Sequence, residues 1–239
     1  MYRTSFPALA LLTCFSFVSS ASAHYLWVSI DSKTGEHGTV NVYFEHSAAP
    51  GDGKYLDPFV ERGTTWIRTA ATGKATPLKL EETTGKNTRW LSGPLTASGG
   101  RSVDSYGKWG VYRYGKTDVL LHYYARNIET KTQDDLNKVG SAKQMNLDIA
   151  VSQEGGSVQL AAVWQGKPLG SQKITVYGPK KFKETLTTSD KGSASFTPEA
   201  AGRYVIRTSF EENRGGEDDG KEYQKIRHNF TMMANLPVE

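Results

Sequence analysis

Short runs in which apolar and polar residues alternate recur along this chain, and each run is rich in Val, Ile, Thr, Tyr or Phe. Residues 25–30 and 39–45 form the first two runs, and the polar, Gly-containing turn between them is typical of a β-hairpin. Further strands are predicted at residues 65–68, 76–80, 88–91, 107–114 and 119–125. Many short strands at this spacing favour a β-sandwich. The pattern therefore predicts an all-β fold.

The second half of the chain repeats the pattern, with strands predicted at residues 158–164, 173–177, 193–196, 202–207 and 223–231. An acidic, Gly-rich insert at residues 211–220 is expected to be a hairpin loop. The turns at 166–169 and 189–192 and the Gly-x-Tyr strand at 202–204 resemble those of Ig-like or transthyretin-like modules, over roughly residues 145–210. This resemblance implies a fold and says nothing of activity.

Residues 127–144 differ from both flanks because they are polar and charged, with few apolar positions. We expect a linker or a long surface loop with one short helix, and we place a domain boundary there. The prediction is two β-sandwich domains, at residues 24–126 and 145–239, with the second one Ig-like.

The first 23 residues have the organisation of a secretory signal peptide. Arg3 precedes an apolar stretch from Ala8 to Val18, and Ala21 and Ala23 are the small residues that a signal peptidase needs. Cleavage after Ala23 would make the protein periplasmic or secreted, with His24 as its first residue. The single cysteine, Cys14, lies inside this segment, so the processed chain would have no disulfide bond.

Charge and motifs exclude several classes of function. The 29 basic and 25 acidic residues are interleaved, and without a basic stripe nucleic acid is not an expected partner. A second apolar run of membrane-spanning length is missing from the sequence, so no transmembrane segment is expected in the processed protein. The sequence also lacks a Gly-x-Ser-x-Gly elbow, a His-Glu-x-x-His pair and a phosphate-binding Gly loop. Binding is therefore expected rather than catalysis.

A histidine at the start of a processed chain offers two nitrogens to one metal ion, its amine and its imidazole. Nitrogen donors of this kind favour copper(II) among the first-row metals. Strand parity places His122 on the face of Tyr124, and His228 on the face of Phe230, so that both histidines point inward or into a cleft. We predict a metal site made of His24, His122 and His228.

The other two histidines have weaker claims to a metal. His37 lies in a polar turn, and His46 follows Glu45 at the end of a predicted strand, beside a Gly-rich loop.

Several segments together resemble domain-of-unknown-function family 4198, exported bacterial proteins often labelled NikM-like. The matching stretches, in order, are residues 23–28, 40–44, 106–107 with 111–112, 120–126, and 220–223 with 227–228. The resemblance implies an N-terminal β-sandwich, a C-terminal Ig-like domain and a location outside the cytoplasmic membrane. The nickel label rests on association. Leu26 takes the third place of the processed chain, so a terminal-amine site with histidine third is absent.

The expected function is capture of a transition-metal ion outside the cytoplasm, with copper favoured over nickel. The partner is then the metal ion or another small ligand, and an envelope protein could be a second partner. One alternative is a copper-dependent polysaccharide oxygenase, which would need an exposed aromatic face around His24. Another is a carbohydrate-binding or adhesion module that uses exposed tryptophans, for which the candidates are Trp27, Trp66, Trp90, Trp109 and Trp164.

Overall fold

The computed structural model describes residues 24–239, so the predicted signal peptide lies outside the described residues. Within that range the all-β prediction is confirmed. The strands are β1 (Tyr25–Asp31), β2 (Thr39–Glu45), β3 (Thr64–Thr69), β4 (Ala75–Leu78), β5 (Glu81–Gly85), β6 (Thr88–Pro94), β7 (Arg101–Tyr114), β8 (Thr117–Glu129), β9 (Leu147–Glu154), β10 (Ser157–Trp164), β11 (Lys167–Pro168), β12 (Lys173–Tyr177), β13 (Lys183–Thr187), β14 (Ser193–Phe196), β15 (Gly202–Glu212), β16 (Gly216–Asp218), β17 (Lys221–Tyr223) and β18 (Lys225–Leu236). The helices are α1 (Asp57–Arg62) and α2 (Gln133–Val139), and a 3₁₀ turn spans Pro179–Lys181.

One large sheet organises the molecule, with strand order β13-β12-β15-β18-β8-β7-β3-β4. A second sheet, β1-β2-β6-β5, covers one face of it, and a third, built from β9, β10, β11 and β14, covers the opposite face. Each interface is filled by apolar side chains. Leu26, Phe44 and Tyr123 belong to the first core, and Tyr124 and Phe230 to the second. Successive residues of a strand point to opposite faces, so β8 contributes to both cores.

The predicted N-terminal hairpin is confirmed, since β1 and β2 pair in antiparallel register from Tyr25 opposite Glu45 to Asp31 opposite Thr39. Two backbone carbonyls of β1 that do not bond to β2 also have hydrogen-bond partners. Thr231 Oγ1 donates to the Leu26 carbonyl at 2.6 Å, and Asn127 Nδ2 donates to the Val28 carbonyl at 3.0 Å. Side chains of the large sheet thereby hold β1 over β8 and β18.

The large sheet crosses the predicted domain boundary, because β18 pairs in parallel with β8. The segment at 127–144 is also more ordered than a linker. Its first residues, 127–129, complete β8, and Thr132 caps α2 by accepting a hydrogen bond from the Asp135 amide at 3.2 Å. Leu136 and Val139 of α2 are fully buried in the second core. The division into two domains stays a prediction.

A buried ion cluster joins this segment to the sheet. Arg126 is completely buried, and its Nε donates to Asp104 Oδ1 at 2.6 Å. Arg126 Nη2 lies 2.9 Å from Asp148 Oδ1, an ion pair without hydrogen-bond geometry. Arg126 Nη1 donates to the carbonyl of Gly140 at 3.0 Å. The cluster therefore ties β7, β8 and β9 to the chain that follows α2.

The acidic insert was expected to be a hairpin loop. Its first two residues instead extend β15, and the segment that follows forms a small hairpin of its own, β16 and β17. Two ion pairs hold it on the sheet. Asp218 pairs with Lys108, and Asp219 Oδ2 lies 2.6 Å from the Arg62 guanidinium. The hairpin consequently lies beside the end of β8 that carries His122.

Candidate functional site

His24 and His46 face each other across the open end of the N-terminal hairpin. His24 directly precedes β1 and His46 directly follows β2, so both continue the register in which Tyr25 lies opposite Glu45. Their ring centroids are 4.1 Å apart, with the planes inclined by 49°. His46 was not among the predicted ligands. The predicted hairpin contained part of the signal, because it brings the residue before its first strand near the residue after its second. The register that sets His24 opposite His46 comes from the structure.

Aromatic and acidic side chains surround this first pair. The edge of the Tyr55 ring meets the His24 ring at a centroid distance of 5.1 Å, and the Phe44 ring lies 5.6 Å away. His24 Nε2 is 3.9 Å from Glu45 Oε2, and the other carboxylate oxygen of Glu45 accepts a hydrogen bond from the Gly53 amide at 3.1 Å. The pair therefore lies in a half-buried recess with a fixed carboxylate beside it.

Burial lowers the pKa of His24, and the positive charge that His46 can carry lowers it further, while Glu45 and Asp52 act in the opposite direction. The His24 imidazole is consequently neutral at neutral pH, which leaves a ring nitrogen able to bind a metal ion.

His122 and His228 form a second pair, on adjacent parallel strands. They are direct partners in the register of β8 and β18, and their rings are stacked with centroids 4.9 Å apart and planes inclined by 26°. The parity prediction is confirmed, because both histidines lie on the face that carries Tyr124 and Phe230.

Tyrosine hydroxyls hold both rings of the second pair. The Tyr106 hydroxyl is 2.8 Å from His122 Nδ1, and the Tyr124 hydroxyl is 3.2 Å from His228 Nδ1. His228 Nε2 lies 3.0 Å from Glu212 Oε1. Both ring nitrogens of His228 therefore already have hydrogen-bond partners, which is the arrangement of a structural core histidine.

The second pair is also kept neutral. Burial lowers the pKa of His122 to about 4, with added repulsion from His228 and Lys108. Burial lowers the pKa of His228 as well, although the Glu212 carboxylate opposes that shift.

The structure does not bring the three predicted ligands together, because the two pairs lie on opposite faces of the large sheet. His24 packs on Phe44, and Phe44 packs edge-on against Tyr123 at a centroid distance of 4.8 Å. Tyr123 follows His122 in β8, so the two side chains point to opposite faces. His24 therefore meets His46 instead of His122 or His228. Within residues 24–239, no group of three or more His, Cys, Asp or Glu side chains is arranged to hold a metal ion.

The exposed aromatic residues are tyrosines rather than the tryptophans considered from the sequence. Trp27 is buried at 5% exposure, and the other four tryptophans are half-buried. Tyr55, Tyr112 and Tyr114 are 37–45% exposed.

Comparison with known proteins places the chain in no family. No family model and no curated protein matches it, so the resemblance to family 4198 stays a prediction. Similar solved structures include a pullulanase from Anoxybacillus sp. LM18-11, with 10% identity, a TM-score of 0.20, and coverage of 78% of this chain and 24% of the pullulanase. The Bacillus anthracis TIE protein is 15% identical with a TM-score of 0.20, over 90% of this chain and 39% of that one.

The FN1-FN3 domains of chicken CNTN1 are 8% identical with a TM-score of 0.20, over 91% of this chain and 67% of that one. At these TM-scores the likenesses assign no function. Within the described residues, no helix is both long and apolar enough to cross a membrane.

Proposed function

We propose that this chain, after cleavage at Ala23, is an extracytoplasmic protein that captures one copper ion with His24 and His46. The observation that carries the proposal is the 4.1 Å separation of the two imidazole rings at the end of the hairpin. Two imidazoles at this distance can turn their nitrogens toward one ion. The predicted cleavage would add the amine of His24 as a third nitrogen on the same residue.

The donor chemistry supports copper. A set of three neutral nitrogens fits copper(II) best, and nickel(II) is the second candidate in the Irving–Williams order. The carboxylates of Glu45 and Asp52 would offset the charge of the ion, since both already act on His24. His122 and His228 are outside this proposal, because they lie on the other face of the large sheet from His24. Both ring nitrogens of His228 also have hydrogen-bond partners already.

The test compares copper affinity in protein that begins at His24 with protein that retains Ala23, which blocks the amine. Copper(II) paramagnetic resonance and calorimetric titration are expected to show one ion per processed chain. Loss of an outer-shell partner alone typically costs about 10- to 100-fold in metal affinity, so retention of Ala23 or the change His46→Ala should cost at least about 100-fold. His37→Ala is the matched control, because His37 lies in the turn between β1 and β2 and contacts Glu36.

Equal copper affinity in the two processing forms would refute the proposal. Loss of copper binding in His122→Ala, with His46→Ala unaffected, would move the site to the strand pair. The oxygenase alternative is separated by adding a reductant to the copper-loaded protein. Capture predicts no sustained oxygen consumption, and the oxygenase alternative predicts turnover with a polysaccharide present.

A further inference from the structure

Four aromatic rings, three of them exposed and the ring of Trp109 half-buried, follow one another from the recess of His24 along the same side of the large sheet. The centroids of Tyr55 and Trp109 are 6.4 Å apart, those of Trp109 and Tyr112 are 5.8 Å apart, and those of Tyr112 and Tyr114 are 4.8 Å apart. We call these four residues the aromatic track. Its three tyrosines are among the four large apolar side chains that are exposed within residues 24–239. Solvent-exposed rings in a continuous row mark a binding surface, since each ring would be more stable in a core.

Cations lie over the tyrosines at both ends of the track. Lys54 Nζ is 5.3 Å from the centroid of the Tyr55 ring, and the Arg227 guanidinium is 4.7 Å from that of Tyr114. The guanidinium of Arg207 lies 3.7 Å from the ring centroid of Tyr25, the residue next to His24. These contacts place positive charge directly beside apolar ring faces.

Two of the three cations are without an acidic partner among residues 24–239. Arg227 is paired with Glu211 at 2.5 Å. Lys54 and Arg207 form no ion pair with a carboxylate of the described part of the chain. The surface therefore combines stacking rings with unneutralised positive charge, and it is complementary to a ligand that has apolar faces and carboxylates.

We propose that the aromatic track binds a single chain of an acidic glycan. The apolar faces of sugar rings stack on aromatic side chains, and uronate carboxylates form charge-assisted hydrogen bonds with Arg and Lys. Successive rings of the track are inclined by 64–68°, so they form no plane on which a crystalline polysaccharide could lie. A flexible single chain can follow such a twisted row.

This binding does not depend on the proposed copper site, although the two are adjacent at Tyr55. The experiment therefore uses protein treated with a chelator. Titration with a galacturonic acid hexamer is followed by calorimetry and by tryptophan fluorescence, to which Trp109 of the track contributes. A maltose-series hexamer is the neutral probe, and a single-stranded oligonucleotide of the same charge is the nucleic-acid probe.

The acidic hexamer is expected to bind at least tenfold more tightly than the neutral one, and the difference should shrink in high salt. The pair of changes Tyr112→Ala and Tyr114→Ala should weaken its binding at least tenfold, because two rings that stack on the sugars would be lost. Arg207→Gln should reduce the preference for the acidic hexamer. Tyr223→Ala and Arg203→Gln are the matched controls, since both residues lie off the track.

The proposal is overturned if the neutral hexamer or the oligonucleotide binds as tightly as the acidic hexamer. It is also overturned if no probe binds, or if the track and control variants lose equal affinity. Circular dichroism of each variant verifies that it is folded. A failure here leaves the copper result untouched, because the metal is absent throughout.

Discussion

Replacement of Arg126 by methionine tests the buried ion cluster. In the native protein, Arg126 faces the carboxylates of Asp104 and Asp148, both of them at least 95% buried, with contacts of 2.6 and 2.9 Å. Methionine has a similar volume but no charge. Asp104 would keep the amide of Gln144 at 2.8 Å and the more distant Arg68 guanidinium at 3.5 Å, while Asp148 would keep the Ala142 amide at 2.8 Å. Two buried carboxylates would therefore lose their main counter-charge.

Removing one partner of a buried ion pair typically costs about 3–5 kcal/mol in the free energy of unfolding. With a urea dependence of about 3 kcal/mol per molar, the midpoint of unfolding should fall by about 1–2 M. Arg113→Met is the matched control, because the Arg113 side chain is 67% exposed and its pair with Asp118 at 3.8 Å should contribute less than about 1 kcal/mol.

Urea titrations followed by tryptophan fluorescence measure both variants. An Arg126→Met midpoint within about 0.3 M of the native one would refute the reasoning, since a loss below about 1 kcal/mol is the cost of an exposed pair. Limited proteolysis adds a local readout. Cleavage within residues 130–144 should become faster in Arg126→Met alone, because the cluster binds the carbonyl of Gly140.

Two further predictions concern pH and packing. The pKa of His122 is about 4 in the folded protein, against 6.5 in a model peptide. Between these two pH values the unfolded chain therefore binds more protons than the folded one. The free energy of unfolding should consequently fall by about 3 kcal/mol as the pH drops from 6.5 through 4. Urea midpoints at several pH values should show this slope in the native protein and a shallower one in His122→Asn, and equal slopes would contradict the assignment. A Cβ atom at Gly107 would lie 2.3 Å from Phe59 Cδ1, so Gly107→Ala should cost about 1–3 kcal/mol in thermal unfolding, and an unchanged melting temperature would show that Phe59 moves aside freely.

The alternation of apolar and polar residues was sufficient to predict the strands that have one buried face. The hairpin of β1 and β2 is the clearest case, because every second residue, such as Leu26 and Val28, belongs to the first core. Trp27 and Tyr43 point to the other face and are buried in a separate small cluster. β5 was missed since its sequence Glu-Glu-Thr-Thr-Gly is polar throughout, and an exposed edge strand then has the composition of a loop. β9 was missed as well. Its pattern contains the buried Asp148, whose partners are Arg126 from a distant strand and the Ala142 amide, and the local sequence shows neither contact.

For the candidate site, the sequence could predict only local features, namely the strand face on which a histidine lies. Parity placed His122 and His228 on the correct faces of their strands, but the parallel register that makes them direct neighbours arises between strands far apart in sequence. The position of His24 could not be predicted from a local pattern. Which face of the large sheet β1 would cover depends on the packing of three sheets, and no local pattern specifies that choice.

The position of β18 between β15 and β8 has a consequence for the order of folding. This strand supplies Phe230 and Met232 to the second core, and its Thr231 donates a hydrogen bond to Leu26 across 205 positions of the chain. Such non-local pairing is intrinsically slow, because the entropy of closing long loops opposes it until many contacts form together. During synthesis the N-terminal strands must therefore wait for residues 225–236 before the large sheet can close. A polypeptide whose large sheet is still open is incompletely folded, which is the state that the proposed export would require.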